Sequence, residues 1–245
     1  MNTQTFCPRT IIGKAADIYK AHWKDFLLTL LVFAVLGGIS MIGSHIDPVT
    51  GVVERSGIGV VSQILSWLAI AYVTIGYIKY VLALIDGKSP KVDSIFQGVS
   101  SWKHFISYLV TKLLVKTITS IIAFIFVGIP LFIGMFFFFI RGTFSWISIV
   151  VLFVLFLISL FISMGFLFAE TAVAEERTGI LESIKLSWRI AKGYKGKLLL
   201  LTLLVIFLNV LGVFVFGLGL LVTIPISSIA YLIAYRELLT LHGEA

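Results

Sequence analysis

The sequence is short of charge, cysteine and histidine. Asp, Glu, Lys and Arg make up only 13% of its 245 residues, about half the share found in a soluble domain. With 59% hydrophobic residues, the chain lacks the polar surface to enclose a soluble globule. Its one cysteine, Cys7, has no intramolecular disulfide partner. One cysteine and four scattered histidines (His22, His45, His104 and His242) supply no metal-ligand cluster. The usual catalytic signatures are missing too. There is no Gly-rich phosphate loop followed by Lys-Ser/Thr, no His-Glu-x-x-His and no Gly-x-Ser-x-Gly. The expectation is a non-enzyme with no cofactor, no metal and no catalytic residue.

What the chain has is long apolar runs, at 26–43, 118–140, 147–168 and 198–216. Runs of about 20 residues cross about 30 Å of hydrocarbon as helices. A membrane β-barrel needs strict alternation over about ten residues, and "FFFFI" and "LLLLTLLVIFL" do not alternate. The fold class is therefore all-α, a polytopic integral membrane protein forming one transmembrane domain over 1–245. Six spans are expected, at about 26–43, 58–85, 105–140, 146–169, 198–216 and 219–238. The 25 residues ahead of the first span are too long and too helically patterned for the basic n-region of a signal peptide. An uncleaved first span is the expectation.

Three segments carry charge on one side and apolar residues on the other at helical spacing: about 9–24, 90–102 and 179–192. They read as interfacial amphipathic helices. In the second, Ser89-Pro90 resembles an N-cap followed by proline at the first helical position. Each segment leads to an aromatic-lysine pair at the threshold of a span: Trp23-Lys24, Trp102-Lys103 and Tyr194-Lys195. Such pairs suit the headgroup zone, where the ring is half-immersed and the ammonium reaches water. The order of amphipathic helix, pair, span and span occurs three times, which fits a threefold helix-hairpin repeat. The polar loop 44–57 contains the turn "DPVTG".

Six spans and the positions of the basic residues set a topology. Of the 19 lysines and arginines, all but Arg55 and Arg141 fall on the side of the chain termini. By the positive-inside rule both termini are cytoplasmic, with 44–57 and Arg141 outside. The net charge of +7 then belongs at a membrane with anionic headgroups rather than on nucleic acid. A protein partner or a second copy of the chain is the other expected contact.

Few polar groups lie within the spans, and four are singled out. Asn209 in the fifth span either hydrogen-bonds a neighbouring helix or contacts a solute. Glu170 closes the fourth span as a helix-end residue or part of an ion pair. Lys112 and Lys116 share a helix face and either snorkel to anionic lipid or line a polar cavity. Glu175-Glu176 reads as a solvated loop. Pro130 and Pro225 interrupt spans, as kinks or as the broken helices of a transport site.

The segment "AVAEERTGILESIKLSWRIAKGYKGKLLLLTLL", the pattern G-K-S-P-x-x-x-S-I-F after the second span and G-I-P in the third together resemble a broad bacterial superfamily. It includes the membrane domain of glycerophosphoryl diester phosphodiesterases and stand-alone six-helix proteins. The resemblance implies six spans in a bacterial cytoplasmic membrane. It brings over no catalytic residues, since the phosphodiesterase chemistry belongs to a separate soluble domain. The function expected is that of a non-catalytic membrane partner or scaffold, linked to lipid or envelope metabolism. The alternatives are a permease-like transport protein for a small or amphiphilic solute and, less well supported, an intramembrane enzyme.

Overall fold

A computed structural model describes residues 6–46, 53–141, 146–215 and 217–244, with 44–46, 53–55 and 137–141 as backbone. Ten α-helices follow in order: α1 Pro8–Ala21, α2 Trp23–Ile39, α3 Gly57–Ile85, α4 Trp102–Ala123, α5 Ile129–Arg141, α6 Trp146–Ser163, α7 Ala169–Ala174, α8 Ile180–Ala191, α9 Lys195–Phe214 and α10 Leu220–Leu241. Among the described residues five segments are long and apolar enough to cross a membrane: Gly57–Ile85, Trp102–Phe136, Trp146–Ala174, Lys195–Phe214 and Leu220–Leu241. A sixth is obtained if α1 and α2, bent by 89° at their junction, count as one. The 17 residues of α2 rise about 25 Å. The protein is thus helical and membrane-embedded.

The elements follow the expected spans with five differences. The first span ends at Ile39 rather than at residue 43, where Gly43 turns with φ 75°. The polar loop 44–57 contains two short antiparallel strands, β1 Ser44–Ile46 and β2 Val53–Arg55, with Ser44 opposite Arg55. The DPVTG turn, Thr50 included, lies outside the described residues.

Third, segment 90–102 is not an amphipathic α-helix. It forms a six-residue 3-10 helix, Val92–Gln97, and α4 begins at Trp102. Packing decides this. Ile95 is buried against α3, where a side chain on Gly76 would strike the Ile95 carbonyl and one on Gly98 would strike the Gly76 backbone. Only glycine allows so close an approach. The Tyr72 hydroxyl then donates to the Phe96 carbonyl at 2.9 Å.

Fourth, Pro130 does not divide the third span. A single π-turn at Phe124–Gly128 leads directly into α5, and such a turn accommodates the hydrogen bond that proline removes. Fifth, the fourth span is broken near its end. A 3-10 turn at Met164–Phe166 separates α6 from α7. Pro225, by contrast, lies inside an unbroken α10.

The chain gathers into two compact units. One comprises Thr10–Phe105 and Leu208–Ile233. Its core includes Ile11, Phe26, Ile75, Tyr80, Ile95 and Ile229, all at most 2% exposed. The other comprises Ile106–Phe207 and Ala234–Ala245 with Met1–Arg9. Its core includes Tyr108, Phe168, Ile190, Leu198, Leu201 and Tyr235.

Candidate functional site

In the Thr10–Phe105 unit, α2, α3 and α10 enclose a cavity of about 210 Å³. Phe26, Leu30, Phe33, Ile224 and Pro225 supply its apolar wall, and Thr29, Thr74, Tyr77 and Ser228 contribute hydroxyls. Each hydroxyl is turned into the protein. Thr29 donates to the Asp25 carbonyl at 2.8 Å, Thr74 to the Ile70 carbonyl at 2.6 Å and Ser228 to the Pro225 carbonyl at 2.8 Å. Tyr77 and Ser228 share a further bond. The cavity therefore presents little polarity. Beside the cavity, Tyr80, one helical turn from Tyr77, donates its hydroxyl to the carboxylate of Asp25, the neighbour of Phe26, at 2.7 Å, and His22 stands 3.6 Å from the same carboxylate.

Pro225 has no N–H to give the Leu221 carbonyl one turn earlier. The Tyr19 hydroxyl on α1 donates to that carbonyl at 3.4 Å instead. Asn209, also in this unit, donates to the Ser227 hydroxyl at 3.0 Å and ties α9 to α10. Ser227 in turn donates to the Thr223 carbonyl at 2.6 Å. Asn209 does not line the cavity.

The other three singled-out residues come together in the second unit. Lys112 and Lys116 lie one turn apart on α4, and Glu170 opens α7. The Glu170 carboxylate is near enough to both ammonium groups and to the buried Tyr108 hydroxyl to feel their charge, but among the described residues it closes no salt bridge with either lysine and no regular hydrogen bond with Tyr108. Lys112 Nζ lies 5.6 Å from the Tyr108 ring centroid. Beyond Lys116, an open groove of about 550 Å³ follows Thr117, Ser120, Ile121 and Phe124.

The anchor pairs differ from one another. Trp23 and Trp102 are the first residues of α2 and α4, and they are 47% and 73% exposed. Lys24 lies over the Trp23 ring at 5.7 Å, and Lys103 is exposed. Lys195 is the first residue of α9, but its ammonium stacks on Trp188 at 3.4 Å rather than on Tyr194. Tyr194 packs edge-on against Phe6 and His242.

Two groups of working residues carried no chemical signature in the sequence. Ser187 repairs the break between α6 and α7, accepting from the Phe168 N–H at 3.0 Å and donating to the Gly165 carbonyl at 2.9 Å. Trp188 covers Gly165 so closely that any side chain there would strike its ring. Glu175, read as part of a solvated loop, is instead 18% exposed. It accepts from Arg236 at 2.6 Å, Arg177 at 3.1 Å and Tyr235 at 3.2 Å. Arg177 also donates to the Glu244 carbonyl, and Arg189 pairs with the Glu244 carboxylate at 3.2 Å. These contacts tie the α7–α8 turn to the end of α10. Among the described residues no three His, Cys, Asp or Glu side chains gather as a metal site.

Nothing among the curated proteins or the solved structures matches the chain. One family model does, and its description is a protein of unknown function, DUF975; it matches residues 10–242. That range includes the cavity, the Lys112–Glu170 cluster and the Glu175 tie, and the chain belongs to the DUF975 family.

Proposed function

We propose that this is a non-catalytic integral protein of the bacterial cytoplasmic membrane, a partner or scaffold in lipid or envelope metabolism that holds an apolar lipid chain between α2, α3 and α10. The observation that carries this reading is the cavity whose four hydroxyls bond back into the protein. Such a wall offers dispersion contacts and little to an ion or a polar solute. Its volume of about 210 Å³ is below the about 300–1,000 Å³ of ordinary small-molecule pockets, which suits one tail better than a whole solute. The topology belongs to the same proposal, with multiple spans and cytoplasmic termini inferred from the placement of basic residues. So does kinship with the six-helix superfamily of the phosphodiesterase membrane domains.

The test is native mass spectrometry of the full chain released from membranes. Wild type should retain a lipid adduct, and Thr74→Phe, which fills the cavity, should lose it while its helical circular dichroism persists. A wild type free of lipid, or an adduct untouched by Thr74→Phe, would defeat the proposal.

One observation favours transport of an amphiphile as a second reading. Pro225 lines the cavity, and the Leu221 carbonyl that it cannot serve accepts a long 3.4 Å bond from Tyr19, a weak latch beside a weak point in a helix. Lipid flux into liposomes that changes with Tyr19→Phe would support it.

A further inference from the structure

We propose that the α4 face carrying Lys112, Lys116, Thr117 and Ser120 binds the phosphate of an anionic phospholipid, with the upper part of the acyl chain against Ile121 and Phe124. This site is separate from the cavity of the other unit and does not depend on it.

Depth is the first argument. The segment Trp102–Phe136 runs 35 residues, about 52 Å of helix and far more than the about 30 Å of hydrocarbon. Residues 117–136 alone rise about 30 Å. Lys116 therefore stands at the edge of the apolar stretch, at phosphate level. With Lys116 at that level, Trp102, about 21 Å further along the axis, lies in the water, which replaces the headgroup-anchor reading for the Trp102-Lys103 pair.

Charge is the second argument. Lys112 and Lys116 both act on the Glu170 carboxylate, and two ammonium groups beside one carboxylate leave a net positive charge. Among the described residues neither lysine closes a salt bridge. Lys112 is half-buried beside Tyr108, whereas Lys116 is exposed in the groove.

The hydroxyls are the third. Thr119, on another face of α4, bonds back to the Val115 carbonyl at 2.8 Å. Thr117 and Ser120 are exposed in the groove and make no such bond among the described residues. They can donate to a phosphate oxygen beside Lys116. Below them Ile121 and Phe124 are 53% and 65% exposed. From Lys116 inward, cation, donors and then apolar surface occur in the order that a phospholipid presents phosphate, glycerol and chain, with Leu113 flanking Lys116 on the outer side. The groove of about 550 Å³ has room for that much of a lipid.

The test titrates the full-length protein in neutral detergent with phosphatidylglycerol and, separately, phosphatidylcholine, and reads bound lipid by native mass spectrometry. Wild type should prefer phosphatidylglycerol. Lys116→Gln should reduce that preference about fivefold, the share expected of one lysine near anionic lipid. Lys112→Gln with Lys116→Gln should abolish it. Lys116→Arg should keep it, and so should Lys185→Gln, which alters an exposed lysine on α8. Circular dichroism of each variant checks that the helices persist. Equal binding of the two lipids by wild type, or an undiminished preference in Lys116→Gln, would overturn the proposal. Inorganic phosphate displacing the lipid at equal concentration would also overturn it, since the chain would then contribute nothing.

Discussion

Two neighbouring stretches of one unit pack in opposite ways. Along α6, Trp146, Ile147, Val150 and Phe153 are 82%, 74%, 60% and 59% exposed. Directly after the break, Phe168, Ala169, Ala172, Val173 and Ala174 are no more than 1% exposed. All four exposed side chains are large, whereas three of the five buried ones are alanines. The same inversion holds across the spans. The most apolar windows of Trp146–Ala174, Lys195–Phe214 and Trp102–Phe136 are 11%, 22% and 0% buried, while those of the less apolar Gly57–Ile85 and Leu220–Leu241 are both 44% buried. In water the hydrophobic effect would drive the opposite order. In hydrocarbon there is no reward for hiding leucine, and small side chains with polar ties hold helices together. The difference between α6 and α7 thus separates a lipid-facing wall from a packed corner.

Substitutions can break that comparison. The largest effect is expected at Gly165, where a leucine must displace the Trp188 ring; Gly165→Leu should cost about 3 kcal/mol, read from denaturation in mixed micelles. Trp188→Ala in the same chain should recover part of the loss. Glu175→Ala comes next, at about 2 kcal/mol. Removing one member of a buried pair costs about 3–5 kcal/mol, and the figure is reduced here because Glu175 and Arg236 each keep 18% exposure. Asn209→Leu removes the interhelical bond to Ser227 and should cost about 0.5–2 kcal/mol; a larger loss would mean that Asn209 does more than join α9 to α10. Phe153→Leu on the α6 wall should fall within about 0.5 kcal/mol. A loss of several kcal/mol there would make the wall a protein contact instead.

How much of this was legible depended on the range of the interaction. Class and span positions follow from local composition, and Trp23, Trp102 and Lys195 mark helix starts because aromatic-lysine thresholds act within a turn. The 3-10 segment at Val92–Gln97 was misread as an α-helix because its pattern is amphipathic, while its shape is imposed by Gly76 of α3. The break at Met164–Phe166 sits in uniformly apolar text, and the bonds that mend it come from Ser187, about 20 residues later. The Glu175–Arg236 pair joins positions 61 apart, so Glu175 looked like a loop residue and Arg236 like a topology marker only. Lys112 and Lys116 read as a pair on one helix face and Glu170 as a separate span-end residue, and the fold sets Glu170 within electrostatic reach of that pair while Asn209 serves the other unit.

The central claim is that the exposed apolar wall meets lipid. Nitroxide labels on single cysteines at Phe153 and at Lys91, in a Cys7→Ser chain reconstituted in bilayers, test it most directly. The account predicts that a label at 153 is relaxed strongly by oxygen, which concentrates in hydrocarbon, and weakly by a water-soluble nickel chelate, with the reverse at 91. A nickel chelate that reaches position 153 as readily as position 91 would contradict it.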